Sequence, residues 1–238
     1  MPEKYTYLLV DFFCIIFPFL FSFHPRLQFY KHWKSFLIPC LSTAFLFLVW
    51  DGIFTHIGVW SFNPKYVLGL YFFGMPIEEF LFFICIPYAC VFSYHCFDVL
   101  FSFSSLQKPI RLFYGILSGV LLLTALLHLP LLYTSVTFIF TAVFLIYLVA
   151  KNATFLPTFF FCFLFILIPF ILSNGVLTGS FFDRVVVRYN DAHNLGIRIL
   201  TIPFEDTFYG MLLLMLNVWG YEKCRKRIQN KNPDYYLK

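Results

Sequence analysis

The sequence predicts an all-α polytopic membrane protein of about seven transmembrane helices, arranged as two parallel three-helix repeats joined by a linking helix. Three observations carry that expectation. Of the 238 residues, 61% are hydrophobic, 12% are charged and 36 are Phe, a composition that a soluble domain could not bury. Apolar runs of roughly 18 residues or more recur along the chain, and about 20 residues rising 1.5 Å each cross a hydrocarbon core of roughly 30 Å. Finally, one polar segment occurs twice.

The first run, at about 5–23, follows a single Lys4. The stretch after it, HPRLQFY, lacks the small-x-small pattern of a cleavage site, so the run reads as a retained span and not as a signal peptide. Runs at about 35–54 and 77–97 complete a first unit over residues 1–103. The run at about 111–128 is the link, within 104–130. Runs at about 132–150, 155–174 and 203–220 form the second unit, 131–222, and a basic tail occupies 223–238.

Charge placement orients these spans, because Lys and Arg in short loops prefer the cytoplasmic side. Twelve lie on the side of the tail: Arg26, Lys31, Lys34, Lys108, Arg111, Lys151, and in the tail Lys223, Arg225, Lys226, Arg227, Lys231 and Lys238. The other side holds five, Lys4, Lys65, Arg184, Arg188 and Arg198. The expected arrangement has the N-terminus outside and the C-terminus cytoplasmic, in a bacterial plasma membrane. The tail, YEKCRKRIQNKN, reads as a topology anchor touching anionic lipid, and no nucleic-acid partner is expected. The seven Cys residues are scattered without a C-x-x-C pair and support neither a metal site nor a disulfide framework.

The repeat singles out the polar residues. Residues 62–83, FNPKYVLGLYFFGMPIEEFLFF, align without a gap to 189–210, YNDAHNLGIRILTIPFEDTFYG. Identities fall at Asn63/Asn190, Leu68/Leu195, Gly69/Gly196, Pro76/Pro203 and Glu78/Glu205, with Glu79/Asp206 a close substitution. Upstream, DGIFT at 51–55 answers NGVLT at 174–178, with four extra residues in the second copy. An odd linking helix makes the two units parallel. Both acidic motifs then open the third helix of their unit on one membrane side, where a two-fold axis along the membrane normal could bring them together.

Taken singly, each motif is also a good helix start, since Pro suits the first helical position and early carboxylates suit the helix dipole. Ionisable groups inside a membrane are costly, however, and face a bundle interior or cavity. The same costly pair occurring twice, with Asn and Gly at identical offsets, favours a polar pocket. Burial and a neighbouring carboxylate both disfavour charge, while the helix N-terminus opposes them, so one member of the cluster is expected to hold a proton at neutral pH. Such a group protonates a substrate, and an ionised partner accepts a proton or stabilises a cation. Aromatic residues around the motifs, Trp60, Phe73, Phe82 and Tyr209 among them, supply faces that attract cations by roughly 0.5–2 kcal/mol each. Asn63 and Asn190 either orient an acid or serve as turn residues. Arg198 either tunes an acid or anchors the interface.

The double P-x-E-[ED] pattern, the approach at Trp60–Gly69 and the stretch GIRILTIPFEDTFYG at 196–210 resemble the small integral-membrane lycopene cyclases. In that family each repeat is a separate subunit of a two-subunit enzyme, or both are fused in one chain as they are here. The resemblance implies conversion of the ψ ends of lycopene into β-ionone rings, giving β-carotene through γ-carotene. It implies a catalytic set of Glu78, Glu79, Glu205 and Asp206, with Glu78 or Glu205 as proton donor, and substrate contacts from Trp60, Asn63, Phe73, Phe82, Asn190 and Tyr209. The expected partners are a carotenoid within the bilayer, membrane lipids, and a second copy or other carotenoid enzymes. No G-x-G-x-x-G follows a strand, so no flavin or other cofactor is expected, and the isolated His56, His95, His128 and His193 lack ligand spacing.

Other readings meet specific obstacles. A retinal protein needs a lysine in the last span, and 203–219 contains none. A prenyltransferase needs Asp-rich motifs, and YNDAHN has an acid-free counterpart in FNPKYV. A proton-coupled parallel-repeat transporter would show polar helices lining a path, whereas spans four to six carry little beyond Ser, Thr and Asn. A cyclase of a fifty-carbon carotenoid stays open.

Overall fold

A computed structural model describes residues 3–182 and 184–232, so Lys238 and the end of the basic tail lie outside the described residues. Seven helices follow in order: α1 (Thr6–Phe21), α2 (Trp33–His56), α3 (Ile77–Leu100), α4 (Gln107–Leu127), α5 (Leu132–Ala150), α6 (Leu156–Thr178) and α7 (Phe204–Lys231). The first six are long and apolar enough to cross a membrane. The seventh is longer, with a mean hydropathy lowered by its acidic first turn and basic end; its middle, Met211–Met215, is buried against α2 and α5. The protein is thus an all-α integral membrane protein. Large apolar side chains such as Phe13, Phe45, Ile116 and Ile168 are exposed on the bundle surface, where only lipid would cover them.

The helices use their sequence consistently. Pro18, Pro39, Pro87 and Pro169 lie inside α1, α2, α3 and α6, tolerated because neighbouring helices support the freed carbonyls. Cys40 of α2 illustrates this by donating its thiol to the Phe83 carbonyl, the one that Pro87 leaves free in α3, at 3.8 Å. Helix α7 continues through the basic tail as far as Lys231. No Gly or Pro interrupts that stretch, and Glu222 pairs with Arg225 at 2.8 Å and with Lys226 at 4.0 Å, the spacings that support a helix.

The two repeats are joined by a short antiparallel ribbon of β1 (Trp60–Phe62) and β4 (Val187–Tyr189). Its register pairs Trp60 with Tyr189, Ser61 with Arg188 and Phe62 with Val187, so Ser61 faces its own counterpart in the repeat. A local two-fold axis therefore passes between Ser61 and Arg188. Hydrogen bonds flanking the ribbon obey it too: Asn63 N–H donates to Val186 at 2.8 Å, and Asn190 N–H donates to Val59 at 2.9 Å.

Each repeat then makes a two-residue hairpin before its acidic helix. In the first, β2 (Tyr71–Phe72) pairs with β3 (Met75–Pro76); in the second, β5 (Arg198–Ile199) pairs with β6 (Ile202–Pro203). The hairpins open at Gly69 and Gly196, with φ of 87° and 70°, a left-handed backbone that favours glycine. Their closure is identical in both copies, Ile77 N–H to Leu70 and Phe204 N–H to Ile197, each at 2.9 Å. These hairpins fix where α3 and α7 begin, and so where the acids sit.

Candidate active site

The two acids of each pair point in different directions. Glu78 and Glu205, both 0% exposed, turn back to the loop that precedes their helix. The Glu78 Oε1 accepts the Leu68 N–H at 2.6 Å, and the Glu205 Oε1 accepts the Leu195 N–H at 2.8 Å. Glu205 also accepts the Thr134 hydroxyl at 2.5 Å. Consecutive helix residues lie about 100° apart, so the second acid of each pair must face elsewhere.

Glu79 and Asp206 face a cavity of about 780 Å³ between the repeats, whose lining includes neither Glu78 nor Glu205. A tyrosine from the second position of each unit's first helix meets them. Tyr7 on α1 donates to Glu79 Oε2 at 2.5 Å, and Tyr133 on α5 donates to Asp206 Oδ1. Asp206 receives a second hydroxyl, from Tyr189 at 2.8 Å; the first repeat has Phe62 at that place and offers none. Asp51 and its counterpart Asn174 also line the cavity, from the ends of α2 and α6.

The remaining wall is aromatic. Trp60 stands edge-on to Tyr133, Tyr189 and Tyr209 with ring centroids 5.2, 6.0 and 6.2 Å away, and Phe82 stands edge-on to Tyr7 at 6.2 Å. Trp60 also donates its indole N–H to Thr55 at 3.0 Å, which fixes the ring. The result is a largely apolar chamber whose wall carries buried acids and aromatic rings. Its chemistry suits protonating an apolar substrate and holding a cation.

Trp60, Phe82, Tyr209, Glu79 and Asp206 thus come together at the cavity. Five residues expected there do not: Glu78 and Glu205, which turn back to their loops, and Asn63, Asn190 and Phe73. Asn63 and Asn190 are turn residues whose side-chain oxygens accept the Lys65 and Ala192 N–H groups, each at 3.1 Å, in the two repeats alike. Phe73 is 90% exposed, because it occupies the left-handed position at the hairpin tip with a φ of 53° and its side chain points outward. Arg198 is held in its own hairpin, donating to Thr201 O at 2.7 Å and pairing with Asp191. Residues that sequence reasoning missed are Tyr7, Tyr133 and Tyr189, and Asp51, whose charge inside the second apolar run was the available signal.

Among the described residues, no three His, Cys, Asp or Glu side chains are grouped so as to hold a metal ion. No curated protein and no solved structure matches the chain. A family model described as lycopene cyclase does match, over residues 4–97 and again over 130–224. The two matched segments are the two halves that meet at the ribbon and the cavity, and by them this chain belongs to the lycopene cyclase family.

Proposed function

We propose that the protein is a lycopene β-cyclase that converts the ψ ends of lycopene into β-ionone rings by acid catalysis, giving β-carotene through γ-carotene. The observation that carries this reading is the cavity itself, apolar, aromatic, bounded by both repeats, and furnished with Glu79 and Asp206. Membership of the family supports a carotenoid as the substrate. The first repeat contributes Asp51 and Glu79 to the cavity and the second Asp206, so each is incomplete alone.

In this reading Glu79 takes the role of donor that the sequence suggested for Glu78 or Glu205. Those two acids each have an oxygen engaged by a loop amide, which suits them to holding the hairpin. A protonated carboxyl delivers its proton to the terminal double bond of the ψ end, and the tertiary cation at once closes onto the neighbouring double bond. Trp60 and Tyr209 stabilise the cation through their ring faces, and Asp206, fixed by two tyrosines, removes the ring proton. The net reaction is an isomerisation. The membrane orientation that fits this scheme has the hairpins and cavity acids toward the outside.

The test is pigment chromatography of a lycopene-accumulating bacterium that expresses the protein, grown in D2O for the last hours. β-Carotene carrying one deuterium in each new ring is the expected product. Lycopene left unchanged beside folded protein overturns the substrate, and the same assay with a linear fifty-carbon carotenoid then identifies the alternative.

A further inference from the structure

The two halves share a backbone but not a set of acids. At the end of α2 the first repeat has Asp51, where α6 of the second has Asn174, and both side chains line the cavity. At the sixth position of the first helix of each unit stand Asp11 and Thr137. The first half therefore carries extra buried carboxyls at places where the second is neutral. Asp51 is only 3% exposed, and its Oδ2 has no hydrogen-bond partner although it borders the chamber. It lines the same cavity as Glu79. Two carboxyls on one apolar chamber are costly to ionise together. Asp206 differs in its partners, because two tyrosine hydroxyls donate to it against the single one on Glu79.

We propose that Asp51 and Glu79 form the acid pair that holds and delivers the proton, and that the second repeat, with Asn174 at the matching place, serves only to receive it. This assignment rests on the cyclase reading. The O–H bond of the pair breaks as a C–H bond forms at the terminal double bond. The π electrons of the neighbouring double bond make the ring's new C–C bond. Asp206 then takes the ring proton while that C–H electron pair becomes the ring double bond. One proton enters the substrate and one leaves, without oxidant or reductant, and transfer from Asp206 to the pair restores the starting state. The cavity thus has a direction, and each end of a symmetric substrate has to visit the Asp51 side in turn.

The experiment compares Asp51→Asn, Asp51→Glu and the double variant Asp51→Asn/Asn174→Asp with the wild type in membranes supplied with lycopene. Asn is what the second repeat already carries at this place, so Asp51→Asn is expected to accumulate normally. Its rate of ring formation is expected to fall about 100-fold. Asp51→Glu recovers to within about tenfold of the wild type, whereas the double variant stays as low as Asp51→Asn, because its new carboxyl is on the wrong side. Infrared spectroscopy of the substrate-free membranes reads the proton directly: one protonated-carboxyl band is lost or shifted by Asp51→Asn and by Glu79→Gln alike. Wild-type rings with an undiminished Asp51→Asn, recovery in the double variant, or poor accumulation of Asp51→Asn overturns the acid pair while leaving the cyclase reading intact. Lycopene unchanged by the wild type overturns that reading instead, and the infrared band still decides the pair.

Discussion

The two repeats agree closely in the framework outside the cavity and diverge inside it. The loop amide held by Glu78 recurs at Glu205, the turn made by Asn63 recurs at Asn190, and the hairpin closure recurs with the same geometry. Around the substrate space the halves part company. Glu79 has one tyrosine and shares the wall with Asp51 of its own repeat, whereas Asp206 has two tyrosines and its repeat carries Asn174 in place of Asp51. The repeats thus share one scaffold, and a few side chains give their acids different surroundings.

The largest effect that would sharpen this contrast is expected from Asp206→Asn. Loss of the receiving carboxylate should slow ring formation by about 100-fold with the protein still folded, measured as rings formed per membrane protein. Equal activity would break the assignment of an acceptor to the second half. A smaller effect is expected from Tyr189→Phe, which makes the second half resemble the first by removing one of the two hydroxyls on Asp206. A fall of about tenfold, with thermal stability nearly unchanged, is the expected outcome.

The framework acids should respond in stability. Glu205→Ala strands the Leu195 amide and the Thr134 hydroxyl, while Glu78→Ala strands the Leu68 amide. Buried donors left without acceptors cost about 1–3 kcal/mol each. Thermal unfolding in detergent should therefore show Glu205→Ala as the less stable of the two, and the reverse order would contradict the hydrogen-bond count.

The smallest effect is expected at Arg198 on the hairpin of the second repeat. Hydrogen bonds from Asn194 and Arg198 hold the Asp191 carboxyl below the usual carboxylate range. A lowered folded-state value means that this contribution is fully present above the unfolded value of about 3.9 and fades as pH falls through the folded value. The Asp191 side chain is 62% exposed, so solvent screening reduces the pair to a few tenths of a kcal/mol. Arg198→Ala should lower the melting temperature slightly at neutral pH, and the difference should shrink in strong acid or high salt.

Much of this was legible in the sequence, because spanning helices and repeats are written in long apolar runs and in fixed offsets. The acidic motifs stood out because charge is rare in such runs. Which acid of each pair faces the cavity was not legible. That choice depends on the rotation of α3 and α7, set by the hairpins and by packing against distant helices, and no local pattern encodes it. Tyr7 and Tyr133 were invisible for a related reason, since each meets its acid from more than 70 residues away. The tail was read as a separate anchor because its charges end the apolar signal, yet those charges pair along α7 and extend the helix. Phe73 was misplaced because aromatic composition near a motif says nothing about which side of a hairpin a ring occupies.

In the proposed division of labour the second acid of each pair does the chemistry and the first holds the loop. Glu79→Gln and Glu78→Gln, compared side by side, test it most directly, since both keep side-chain size and a carbonyl oxygen. Pigment chromatography from lycopene-accumulating cells, at matched protein in the membrane, should show rings with Glu78→Gln and essentially none with Glu79→Gln. Rings formed by Glu79→Gln and lost in Glu78→Gln would reverse the two roles.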